Sequence, residues 1–197
     1  MAEAGENLSS VDLLQQENTE LRLDNARLAS LLTFDELTGL FKTSEFGRKV
    51  ILERMQEAQT VGDNVVVAVV DLTKFRDVNN AFNHATGDEV LKTVAAKLGK
   101  LAGSNGLAMR SHSVGDEFGV LFVGEHGKEG VTSLQDIQTI GIPWKAAKAE
   151  GKISFTLGIS SLDELTDDQK GTPGEVFQHL WQRASDGERE QHRSQNG

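Results

Sequence analysis

The chain has 197 residues, with 30 Asp and Glu against 20 Lys and Arg for a formal net charge of −10, and neither Cys nor Tyr. The missing Cys excludes a disulfide scaffold, a thiolate zinc site and a cysteine nucleophile. The acidic balance argues against a nucleic-acid-binding face, but not against a nucleotide site where a metal bridges carboxylates and phosphates.

Residues 1–10 are small and polar and are expected to be disordered. From Val11 to Leu32 the chain reads as a heptad helix. Leu14, Leu21 and Leu28 take the d positions, and Val11, Asn18, Asn25 and Leu32 the a positions. Leu at d with Asn at a is the pattern of a parallel two-stranded coiled coil, and Glu17 at g would face Arg22 at e of the partner. Residues 11–32 are therefore expected to dimerise the chain. An amphipathic helix packed on its own domain is the alternative.

A turn is expected at Asp35–Leu40, then a second helix capped by Thr43 or Ser44, with Phe46, Val50, Ile51, Met55 and Ala58 on one face. Val65–Val70 is continuous and β-branched, as in a strand buried on both faces. It is also the longest purely apolar run, far short of the roughly 20 residues a membrane helix needs. No basic and apolar leader precedes it. A cytoplasmic protein without membrane insertion is expected.

Asp71 closes that strand. A short helix is predicted within Thr73–Asn83, then a turn at His84-Ala85 and a helix capped by Thr86, with Glu89 completing a capping box. Leu107–Met109 and Phe118–Val123 read as a hairpin with Asp116 and Glu117 near its tip. One or two short helices are expected around Leu134–Ile140 and Trp144–Ala149, separated by Pro143. Ile153–Ile159 alternates as a strand, and Val176, Leu180 and Ala184 begin a last helix. The polar residues after 184 are expected to fray. The order implies one mixed α/β (α+β) domain over residues 33–184, with an antiparallel hairpin inside it.

Asp71 and the Asp116-Glu117 pair lie at separate strand ends that can converge at one sheet edge. Such carboxylates can hold Mg²⁺ or Mn²⁺ and leave room for phosphates; the plain alternative is that they cap turns. The five His residues show no metal-ligand spacing, and no glycine-rich phosphate loop is present.

Four blocks, in order, resemble the GGDEF domain of bacterial diguanylate cyclases. Asp35-Glu36-Leu37-Thr38-Gly39-Leu40 resembles the opening D-x-L-T-G-L. Asp71 through Asn80 resembles D-x-D-x-F-K-x-x-N-D. His84 through Leu91 resembles G-H-x-x-G-D-x-x-L. Val114-Gly115-Asp116-Glu117-Phe118 matches the signature at four of five positions. The likeness covers roughly residues 32–184 and extends to the strand Phe155–Ile159.

The resemblance implies a polymerase-palm-like antiparallel sheet with flanking helices, and condensation of two GTP into cyclic di-GMP with release of two pyrophosphates across a homodimer. It implies Asp71 and Asp116 as metal ligands, assisted by the Leu72 carbonyl, and Glu117 beside the metals and the attacking hydroxyl. Asn79 and Asp88 would read the guanine edge, and Phe75, Val114 and Gly115 would complete the substrate contacts. The chain departs from the pattern at Val114, where the family has Gly, and at Thr73, where it has an acid. The last helix should carry two cations for the phosphates. In one register they become His192 and Asn196, in the other Ala184 and Glu188. The product-inhibition motif R-x-x-D aligns with Asn105 and Ala108, so that site is absent. The sequence therefore suggests a weak or degenerate cyclase, or an inactive dimeric GTP-sensing or docking module with a signalling-protein partner.

Overall fold

The computed structural model describes residues 9–112 and 115–196. Val114 and residues 1–8 lie outside them. Helix α1 (Ser10–Thr33) begins at Ser9, which forms a capping box with Asp12. None of its residues is buried, and Val11, Leu14, Leu21, Leu28 and Leu32 are all exposed. Residues 9 and 10, expected to be disordered, thus form the helix cap and its first turn.

The strand β1 (Phe41–Lys42) and α2 (Glu45–Val61) follow, with Ser44 as N-cap and Gly62 closing α2 in the left-handed conformation that favours glycine. Next come β2 (Val65–Leu72), α3 (Phe75–Ala81), α4 (His84–Ala102), β3 (Leu107–Arg110) and β4 (Glu117–Val123). The chain ends with α5 (Gly124–Ile140), β5 (Ile142–Lys145), β6 (Glu150–Ile153), β7 (Phe155–Ser161) and α6 (Pro173–Asn196).

The main sheet has the order β1-β3-β4-β2-β7. Every pairing is antiparallel except β1 with β3. This is the expected α+β domain, an antiparallel-centred sheet with flanking helices and a preceding N-terminal helix. Side-chain alternation gives β2 two buried faces. Ala68, Val70 and Leu72 join Phe118, Phe122 and Phe155 beneath α4 and α5. Val65, Val67 and Val69 join Leu121, Met55 and Leu180 beneath α2 and α6. Each fully buried Phe or Leu contributes about 1.5–3 kcal/mol, so the two layers hold the sheet from both sides.

Four local expectations are corrected. Helix α4 starts at His84, with Asn83 as cap: its side chain accepts from the Thr86 N–H at 2.9 Å. Glu89 pairs with Lys92 instead of closing a capping box. Second, α5 is one helix from Gly124 to Ile140. Third, Trp144–Ala149 is not helical: Ile142 and Trp144 are buried while Pro143 and Lys145 are exposed, the alternation of a strand, and β5 pairs with β6 as a separate hairpin. Fourth, α6 runs to Asn196 instead of fraying after residue 184. Polar contacts hold its second half. Gln191 Oε1 accepts from the Leu157 N–H at 2.6 Å and from Gln138 Nε2 at 2.6 Å, and β7 is an edge strand, so its free amide finds a partner on the helix.

Candidate functional site

The register places Asp71 opposite Glu117 on β4 and opposite Thr156 on β7. All three share the sheet face of Val67 and Val69, the face covered by α6. Asp116 joins them through the backbone: its carbonyl accepts from the Leu72 N–H at 3.3 Å. The end of β2 and the signature segment are therefore one hydrogen-bonded unit. A cavity of about 320 Å³ opens there, lined by Asp71, Glu117, Glu188, Arg189, His192 and Arg193. A larger one, about 730 Å³, lies elsewhere between α2 and the start of α6 and holds none of these groups.

The cavity is electrostatically loaded. Burial pushes the Asp71 carboxyl up to about 6, with Asp116, Glu188 and Glu117 adding like-charge repulsion and His192 opposing it. Among the described residues no group of three or more His, Asp or Glu is arranged to hold a metal ion. The donor set still suits one. Asp71 and Asp116 are hard oxygen donors whose mutual repulsion a dication relieves, and Mg²⁺ usually takes only one or two carboxylates and fills its shell with water and phosphate oxygens.

On the other side of the β2 end, the chain turns through Lys74 at φ 58°, the one positive-φ residue other than glycine among those described. A side chain there is strained by order 1–3 kcal/mol. The turn leads into α3, where half-buried Phe75 and Asn79 pack against α4. A Cβ on Gly87 would lie 2.0 Å from Asn79 Oδ1 and 3.1 Å from Phe75 Cζ, so glycine is required for this approach. Asp88 follows Gly87 in α4 and is half-exposed. The Asn79 Oδ1 is buried and accepts no hydrogen bond, an unmet need that a ligand N–H could satisfy.

Two pairings escaped the reading of the sequence. Arg110, 3% exposed, donates to Asp35 Oδ1 at 2.9 Å and, through Nη2, to the Gly115 carbonyl at 2.8 Å. It ties the Asp35–Leu40 turn to the signature segment. Burial pushes the Asp35 carboxyl up, but hydrogen bonds from Thr38 and Arg110 outweigh it and hold it below the usual value. The second pairing is Thr156 and Glu188. Glu188, 5% exposed, accepts from the Thr156 hydroxyl in a short hydrogen bond. Of the two registers considered for the last helix, Glu188 of one and His192 of the other both line the cavity, while Ala184 is buried against Gly158. The buried pairing of Glu188 leaves no local sequence signal, because its partner is 32 residues away.

Residues 32–189 match the family model described as diguanylate cyclase, GGDEF domain. The chain belongs to the GGDEF family. Its fold superposes with a TM-score of 0.72 on the crystal structure of the coiled coil and GGDEF domain of DgcB from Caulobacter crescentus in complex with c-di-GMP, at 24% identity over 94% of this chain and 96% of that one. It is also similar to the diguanylate cyclase SiaD of Pseudomonas aeruginosa in complex with its activator SiaC, with a TM-score of 0.61 and 22% identity, covering 92% of this chain and 66% of that one. An uncharacterized membrane protein of Staphylococcus aureus (strain USA300) is 27% identical over 145 residues, 73% of this chain but 40% of the relative. The chain thus spans about two-fifths of the curated relatives it matches. None of its own described helices is long and apolar enough to cross a membrane.

Proposed function

We propose that the chain binds GTP with Mg²⁺ or Mn²⁺ and, as a homodimer, slowly condenses two GTP into cyclic di-GMP. The observation that carries this reading is the Asp71–Glu117 register, locked by the hydrogen bond from the Leu72 N–H to the Asp116 carbonyl. It sets three carboxylates at one sheet edge. Asp71 and Asp116, with the Leu72 carbonyl, would hold the metal, which when bound neutralises triphosphate charge and favours ionisation of the attacking hydroxyl. Glu117 lies beside them, close to where that hydroxyl would sit. In the reaction each 3′-hydroxyl oxygen bonds to the α-phosphorus of the other GTP, its proton leaves, and the bond to pyrophosphate breaks. Asn79 and Asp88 suit guanine: a carboxylate accepts from N1–H and the 2-amino group, and the unpaired Asn79 oxygen accepts a further donor. Phe75, Gly115 and Val114 complete the substrate contacts.

The exposed Leu and Val stripe of α1 would pair with a second copy and bring two half-sites together. On this reading the chain is a cytoplasmic signalling domain that can take a protein partner. Glu188 in the cavity favours a second reading, a dimeric GTP-sensing or docking module without turnover.

The test is incubation with GTP and Mn²⁺ at high protein concentration, scoring cyclic di-GMP. No product overturns the cyclase reading. GTP binding by calorimetry then separates a nucleotide sensor from a pure scaffold. The dimer is tested by light scattering on the full chain and on a form lacking residues 1–32, which is expected to be monomeric.

A further inference from the structure

The buried residue that closes the cavity opposite Asp71 is an acid. Glu188 sits on α6, and α6 is seated on β7 with no slack. A Cβ on Gly158 would lie 1.7 Å from the Ala184 carbonyl oxygen and 2.5 Å from the Glu188 nitrogen. The Glu188 backbone is therefore fixed, and its carboxylate is held by Thr156, which is fully buried. The carboxylate cannot swing out without abandoning that hydrogen bond. Arg189 and Arg193 line the same cavity from exposed positions on the rim, and Arg189 is within 3.6 Å of Asp186. An anion entering the cavity thus passes rim cations and ends against a fixed carboxylate.

We infer that Glu188 is a specificity-determining residue that weakens binding of the polyphosphate part of the nucleotide while leaving base recognition untouched. The inference rests on the proposed nucleotide site. Any phosphate held near a metal on Asp71 shares the cavity with Glu188, because the two carboxylates line the same 320 Å³ space. Like charges in a partly dry cavity repel more strongly than in water. The base-reading residues lie on α3 and α4, away from that wall, so the penalty falls on charge and not on shape. Glu188 acts as a built-in brake on nucleotide loading.

The experiment compares the full-length chain with its Glu188→Gln variant. Gln keeps an acceptor for the Thr156 hydroxyl, so the packing of α6 is retained. Calorimetry is run with GTP and with guanosine, both in excess Mn²⁺. Glu188→Gln is expected to tighten GTP at least about tenfold, equivalent to about 1.4 kcal/mol, and to leave guanosine within about twofold. Unchanged or weaker GTP binding overturns the inference, as does an equal gain for guanosine, which would report a general loosening of the cavity. Asp116→Ala serves as the separate arm. If it lowers GTP affinity while Glu188→Gln changes nothing, the metal–nucleotide site stands and the brake falls. If Asp116→Ala leaves GTP binding intact, the site itself is misassigned whatever Glu188 does.

Discussion

The two sides of the sheet at the end of β2, the α3–α4 wall and the α6 wall, differ in how far their polar groups are already satisfied. On the α3–α4 side, Asn79 Oδ1 is buried without a donor, and Asp88 on α4 is half-exposed. On the α6 wall, Glu188 is engaged by Thr156, and Gln191 by Leu157 and Gln138. One wall has hydrogen-bonding capacity left for a ligand. The other has spent its capacity on holding a polar helix to an edge strand. Under the proposed function, the side assigned to the base keeps an open acceptor while the side assigned to the phosphates is structural, because α6 needs polar anchors where it covers β7.

The largest expected effect tests the edge the two walls share. Asp116→Ala removes one of the two carboxylates proposed to hold the metal and is expected to take metal-dependent GTP binding below detection by calorimetry, with the melting temperature little changed. Retained binding breaks the comparison at its base. Next is the strut that holds the signature segment between the walls. Arg110→Met leaves Asp35 charged and buried with its cation gone and only Thr38 donating to it, a loss of about 3 kcal/mol by urea denaturation. The sign of the Asp35 contribution follows from its lowered carboxyl. Stability from this pair is present above about pH 4 and is lost as pH falls through the folded-state value. Arg110→Met should reduce that acid limb, with the Thr38 hydrogen bonds keeping part of it.

The same added methyl separates the walls directly. Gly158→Ala meets backbone atoms of α6 at 1.7 and 2.5 Å, which cannot yield without moving the helix. A loss of about 3 kcal/mol or more is expected in denaturation. Gly87→Ala meets the Asn79 side-chain oxygen at 2.0 Å, a group that can rotate away. Its stability cost should be smaller, about 1 kcal/mol, and its main effect a loss of guanosine affinity. Equal stability losses would mean that both walls are structural.

Much of this was legible in the chain. Val65–Val70 announces a central strand by composition, the hairpin follows from two apolar runs, and the α1 pattern is periodic over three heptads. What escaped was held by distant polar partners. Arg110 finds Asp35 across 75 positions, and Gln191 finds Leu157 across 34. A polar stretch such as 185–196 has no apolar period, so its helix is invisible until the edge strand it caps is known. Trp144 misled for the opposite reason: its apolar neighbours fit a helix or a strand, and only the alternation of burial decided. The carboxylates at 71, 116 and 117 could be picked out, whereas Glu188 appeared in only one of two registers open for the last helix.

A pH-dependent effect probes the cost of concentrating charge at the shared edge. The Asp71 carboxyl titrates near 6 in the folded chain against 3.8 unfolded, so the folded state binds more protons between those values. Stability is therefore full below about pH 4, falls as pH rises towards 6, and is flat above. Asp71 is half-exposed, so the amplitude is reduced by solvent screening to about 1–2 kcal/mol. Asp71→Asn should abolish this slope and stabilise the metal-free chain at pH 7.5 by that amount, read by urea denaturation across pH 4–8. The same variant should lose metal-dependent GTP binding. Glu188→Gln should flatten the slope only in part, since burial and Asp116 weigh more on Asp71 than Glu188 does. If Glu188→Gln flattens it as fully as Asp71→Asn, the carboxylate on α6 dominates the field of the cavity, and the α6 wall governs the shared edge as well as its own side.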